Sequence, residues 1–299
     1  MVGFALWLDV QAALTGQDSG AGLLRAHMSN DLFPASMPLA ERRPSYFIGT
    51  GDREMEVVTW GKESLTVMSK LGALALSMRS EQHSPHESQA AQQVLLGRQR
   101  IVRQFQIELY EHWGQLHPAS VPREHPVASG HLPTWTRYVY DSVSGDSFGG
   151  GFHIDFADLL IQGFLTLSIC AMYSNTSMFS GQLLRNAGAR PEVERHCQNV
   201  LDMAESIFRE GASDPRVTGF ALFLAGYSAT DYDTKIRAIN LLQALEGRGI
   251  SRNAKRGRAL LIAVCEEQRQ RVLAGGRAEE VDWLVFARAR NMETLDFGL

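Results

Sequence analysis

Apolar residues recur at steps of three and four through most of this chain, and no stretch alternates convincingly at a step of two. Phe4, Trp7, Leu8 and Leu14 share one side of a helix over 3–14, which Thr15-Gly16 stops. From Gln17 to Gly51 the chain is rich in Gly, Ser, Pro and Met and reads as a long connection with one short helical turn. Val57, Trp60, Ser64, Met68, Leu71, Ala75 and Met78 predict a helix from an Asp52 cap to about Met78. Ala91, Leu95, Val102, Phe105, Leu109, Trp113 and Leu116 predict a second, from Glu87 to about Leu116. The short turn at Pro85 makes the two an antiparallel pair.

Pro118, Pro122, Pro126 and Pro133 then prevent regular helix. The chain continues through Trp135, Tyr138 and Tyr140 to Gly149-Gly150-Gly151. Three large rings predict a connector packed on the body, because exposed linkers rarely carry them. Phe152 to about Phe179 is apolar nearly all round in its first half and predicts the central buried helix. Pro191 suits the first position of a helix burying Val193, Cys197, Leu201, Ala204 and Phe208. Thr230 and Asp231 cap a helix bearing Ile236, Ile239, Leu242 and Leu245, and Gly247 stops it. Ser251 opens another with Leu261, Val264, Cys265, Gln268 and Val272 on one face, ended by Gly275-Gly276. Val281 to Arg290 forms a last short one. The expectation is an all-α fold: a single multi-helix domain over residues 1–299, with the irregular connector 117–151 packed on it.

Composition supports a buried core: 44% of residues are hydrophobic and 21% charged. A net charge of -4 argues against a broadly nucleic-acid-binding surface. The longest apolar run, Leu159 to Met172, contains Gln162 and is shorter than the ~20 residues that span a bilayer, so no membrane partner is expected. The first residues lack a basic start and are interrupted by Asp9, unlike a secretory signal. Cys170, Cys197 and Cys265 stand far apart within helical patterns, as reduced thiols of an intracellular protein do. They cannot form a paired-cysteine zinc site.

Few residues suggest chemistry. His83 and His86 flank Pro85 in a turn without a third ligand, which favours solvated histidines over a metal site. Gly149-Gly150-Gly151 lacks the strand and lysine of a phosphate loop and reads as a hinge. Arg248, Arg252, Lys255, Arg256 and Arg258 form a basic run. Ordinary patterning makes it a solvated face balanced by Glu246, Glu266 and Glu267, rather than a site for an anion or an acidic partner. Tyr173-Ser174-Asn175-Thr176-Ser177 continues directly from the apolar helix. Either the helix surfaces and frays there, or these side chains line an apolar cavity and orient a ligand. His153 and Asp155 at the head of the same helix add an acid or base. No nucleophile motif, dinucleotide fingerprint or trusted carboxylate pair is legible, and no cofactor is expected.

One resemblance covers the C-terminal part densely. Gly219 to Gly226, Thr230-Asp231, Ala244 to Asn253, Asp282-Trp283 and the closing Phe297-Gly298-Leu299 together resemble the C-terminal regulatory domain of fungal zinc-cluster transcription factors. Trp7 to Gly16 is similar to the middle of that domain, where more helices precede it, whereas Met1 stands almost upon it here. That leaves open a shortened gene or a shortened reading of it. The resemblance implies a regulator of secondary-metabolite genes with a pocket for an apolar small molecule, helix-mediated association with a protein partner, and a nuclear or cytoplasmic address. The family's metal cluster needs six closely spaced cysteines, so these residues lack its DNA-binding module and direct nucleic-acid binding is not expected. The ligand-binding candidates are Trp135, Tyr138, Tyr173 and Asn175. An alternative from another class is a cofactor-free cyclase that folds an apolar terpenoid or polyketide for an intramolecular Diels–Alder closure. Tyr173, Asn175, His153 or Arg137 would then donate one hydrogen bond to the dienophile carbonyl.

Overall fold

The computed structural model describes residues 9–16, 22, 24, 26, 66–79, 93, 97, 98, 100–104, 107, 156–178, 184, 189–210, 218–248 and 251–292. Among them there is no strand, and the fold is all-α. Helices α1 (9–14), α2 (66–79) and α3 (100–104) precede α4 (Phe156–Met172), which passes into a π turn over Tyr173–Met178. Then follow α5 (Ala189–Glu210), α6 (Gly219–Ser228), α7 (Tyr232–Glu246) and α8 (Ser251–Leu273). A short 3-10 turn (Ala278–Glu280) leads into α9 (Trp283–Ala289). The connector 117–151 lies outside the described residues.

The most enclosed element is α6. All ten of its residues are buried, and it packs against α4, α5, α7 and α8. The sequence pattern places the Phe152–Phe179 helix at the centre. In its described part, α4, Ile161 and the residues from Gly163 onward are buried, but the shorter α6 is the one surrounded. Gly219-Phe220-Ala221-Leu222-Phe223-Leu224-Ala225-Gly226 has no polar side, so no orientation of this helix leaves it comfortable in water.

Gly226 sets how closely α7 and α8 approach. A Cβ there would lie 2.6 Å from a Leu261 methyl and 2.9 Å from the Ala238 Cβ. Hydrogen in place of a side chain lets three helices share one crossing point. This contact also turns α7. Its buried face is Thr234, Lys235, Ala238, Leu241, Leu242 and Leu245, whereas Ile236 is exposed and Ile239 only half-buried. The stripe expected through Ile236 and Ile239 is therefore rotated by about one residue.

Local signals define the helix ends. The Asp231 carboxylate accepts from the Thr234 amide at 2.8 Å and caps α7, and these bonds hold it below the ordinary carboxylate range. Asp282 does the same for α9, accepting from Leu284 and Val285 amides at 2.8 and 3.2 Å. Gly247 follows α7 in an ordinary right-handed conformation. Gly16, with φ +79°, ends α1 and lies under Leu284 and Arg288 of α9. The basic run is partly neutralised as expected, since Arg258 pairs with Glu246 at 2.5 Å. Glu266 and Glu267 instead pair with Arg269 and Arg290. Arg248 donates to the Phe208 carbonyl at 2.6 Å and covers that ring.

Substituting Gly226→Ala forces α7 away from α6, because the Ala238 Cβ cannot rotate aside. The expected loss is about 1–3 kcal/mol of folding stability, read as a lower urea midpoint with retained helicity. An unchanged midpoint would show that the crossing tolerates a methyl group.

Candidate functional site

The polar run after α4 neither surfaces nor frays. Ser174, Asn175 and Thr176 are buried. Each returns a hydrogen to the carbonyl four residues earlier: Ser174 Oγ to Cys170 at 2.6 Å, Asn175 Nδ2 to Ala171 at 2.7 Å and Thr176 Oγ1 to Met172 at 2.7 Å. Three consecutive side chains thus occupy acceptors that an α-helix uses for its own amides. The competition gives a physical reason for the wider π turn, a distortion that recurs at functional sites.

Three separate segments close over this turn. The Tyr173 hydroxyl donates to the Leu14 carbonyl of α1 at 3.1 Å. Thr176 and Ser228 share a hydroxyl contact of 3.0 Å, joining the turn to the end of α6. Trp283 Nε1 donates to Ser177 Oγ at 3.1 Å, and its ring meets Phe223 edge-on at 4.9 Å. Tyr227 donates to the Val281 carbonyl at 2.9 Å. Burial, then the Asp282 carboxylate, pushes the Tyr227 phenol well above its usual range, so it stays a neutral donor.

Of the sequence-derived candidates, the structure brings Tyr173 and Asn175 together on the π turn. Their donors are aimed at Leu14 and Ala171 carbonyls. Trp135, Arg137, Tyr138 and His153 lie outside the described residues, as does Asp155.

A second polar cluster was missed by the sequence reading. Lys235 is 8% exposed, and its Nζ donates to the Gly226 carbonyl at 3.1 Å and to Gln268 Oε1 at 2.7 Å. Gln268 Nε2 in turn donates to the Tyr227 carbonyl at 3.1 Å. The Cys265 thiol points at the same Gly226 carbonyl, 3.9 Å away, and Lys235 works against the rise that burial gives its pKa. Burial lowers the Lys235 pKa. Cys265, Cys197 and Glu194 favour its charge and Arg190 opposes it. The available signal was the stripe Ala238, Leu241, Leu242, Leu245, which extends back to Lys235 rather than to Ile236.

A third buried pair has the residue types of a nucleophile and its base. His196 Nδ1 lies 3.1 Å from Ser168 Oγ, with Glu192 one turn before it on α5. Both His196 and Ser168 are fully enclosed, and the Glu192 carboxylate faces Arg103 at 3.3 Å. The pair is a satisfied core contact that couples α4 to α5. Among the described residues no group of three or more His, Cys, Asp or Glu is placed to hold a metal ion. No helix there is long and apolar enough to cross a membrane. Comparison with protein-family models, with curated proteins and with solved structures finds no match in any of the three.

Because folding lowers the Lys235 pKa from 10.5, the unfolded chain holds a proton there that the folded chain releases earlier. Stability contributed by this group therefore rises with pH from the lowered value up to 10.5. Lys235→Met is expected to flatten the increase of the urea midpoint on the alkaline side as pH approaches 10.5, whatever its cost at neutral pH. An unchanged slope would mean the ammonium is not desolvated.

Proposed function

We propose that the chain acts as a helical regulatory domain of the zinc-cluster transcription-factor type. It binds an apolar small-molecule effector, associates with a protein partner through its helical surface, and does not itself read nucleic acid. The observation that carries this reading is the convergence of the family-like segments on one buried polar turn. Trp7 to Gly16, Gly219 to Gly226 and Asp282-Trp283 are distant in sequence. Their described parts, α1, α6 and α9, all pack at the π turn. A domain whose polar centre is closed by a seven-residue helix suits a switch, because an effector needs to displace little structure to change the surface. Tyr232 and Ile236, one turn apart and exposed on α7, offer apolar contact for a partner.

The cyclase alternative draws less from this geometry. Tyr173 and Asn175 spend hydrogens on backbone carbonyls, while catalysis by orientation needs a donor aimed at the substrate.

Deleting the gene in the organism that carries it separates the two. The regulatory reading expects transcripts of a linked set of biosynthetic genes to fall several-fold together. Normal transcripts with accumulation of one acyclic precursor would overturn it, and turnover of that precursor by the purified protein would establish the cyclase instead.

A further inference from the structure

We infer that Lys235 and Cys265 form an oxidation-driven covalent link, a sulfenamide between Nζ and Sγ that ties α7 to α8. The geometry comes first. Nζ and Sγ converge on the same Gly226 carbonyl oxygen, at 3.1 and 3.9 Å, so the two groups are neighbours across α7 and α8 and a short side-chain movement brings them together. Cys265 is half-buried, whereas Cys170 and Cys197 are fully buried. An oxidant therefore reaches Cys265 first. Burial raises the Cys170 thiol to about 12 and Cys197 further, which keeps both inert. Burial raises Cys265 too, but the neighbouring Lys235 works against it. On the other side of the pair, burial favours the uncharged amine of Lys235, the form that is nucleophilic.

The chemistry takes two steps and one equivalent of a peroxide. The Cys265 thiolate attacks a peroxide oxygen and the O–O bond breaks. Sulfur loses two electrons, the peroxide is reduced, and water leaves, giving a sulfenic acid. The neutral Lys235 amine then attacks that sulfur, the S–O bond breaks, and hydroxide departs as a second water with an amine proton. The protein loses two hydrogens in all. Condensation of a sulfenic acid with nitrogen is known chemistry for backbone amides. A lysine amine held against the sulfur is a stronger nucleophile. Both steps need deprotonated groups, so the link forms faster as the pH is raised.

The test uses the purified, folded protein, hydrogen peroxide, and tryptic digestion without reductant, read by mass spectrometry. Cleavage after Arg216, Arg237, Arg258 and Arg269 gives peptides 217–237 and 259–269, which contain Lys235 and Cys265. The expected product is these two peptides joined, lighter than their sum by two hydrogens. It should separate on treatment with a thiol reductant, form faster at higher pH, and be missing from Cys265→Ser, from Lys235→Arg and from protein oxidised in denaturant. Cys265→Ser is nearly isosteric at a half-buried position, so its fold is the better preserved of the two. Oxygen addition to Cys265 with Lys235 still cleavable by trypsin would overturn the inference. So would a link to Cys197, or a protein left unmodified by exhaustive exposure.

Discussion

A helix buried on every side has to satisfy its last carbonyls without water, and the domain is arranged around that constraint. The final four carbonyls of α6 each have a partner of different origin. Ala225 accepts from the Ala229 amide at 3.0 Å and Gly226 from Lys235, while Tyr227 accepts from Gln268 and Ser228 from Arg190 at 3.3 Å. A buried polar group left without a partner costs about 1–3 kcal/mol. Against a total stability of about 5–15 kcal/mol, four such losses would unfold an ordinary domain. Two of the partners are cations, which also suits the negative end of a helix dipole. The same contacts fix α5, α7 and α8 relative to one another. Arg190 extends the arrangement to Glu279 ahead of α9, and Glu194 reaches Thr230 between α6 and α7.

The π turn solves a related problem on α4. Polar side chains inside a core need acceptors, and these take the nearest ones, the carbonyls of their own helix. What remains exposed to the interior is a set of hydroxyls that α1, α6 and α9 can bond. In both places buried polarity joins segments that apolar packing alone would let slide.

This explains which parts of the fold were legible in the sequence. The starts of α7 and α8, the Asp231 cap and the burial of Val193, Cys197, Leu201 and Ala204 follow from spacing and composition. The face of α7 did not, because a lysine reads as solvent-facing until a carbonyl that needs it is known. One of the two readings of Ser174, Asn175 and Thr176, a fraying end, failed for the same reason: polarity usually means water, and back-bonding leaves no mark in the spacing. Residues of the resembling segments also acquire mechanical roles. Gly226 permits close approach, Asp231 and Asp282 cap helices, and Trp283 plugs the core. Such residues describe how the domain is built more than what it binds. The candidate site was legible only as Tyr173 and Asn175, since its other proposed members lie outside the described residues.

Arg288 donates to the Gly16 carbonyl at 3.3 Å across 272 positions, and Tyr173 reaches Leu14 across 159. Contacts this remote in sequence slow folding, because loop closure comes before any reward. During synthesis α1 emerges well before α9, so its contacts with Leu284 and Arg288 form late. Before then α2, close to Val10 and Ala13 at Gly72, and the π turn at Leu14 cover part of it. Truncation just before Trp283 would uncover Phe223 and leave the Ser177 hydroxyl and the Gly16 carbonyl without these partners, a larger surface change than one seven-residue helix suggests.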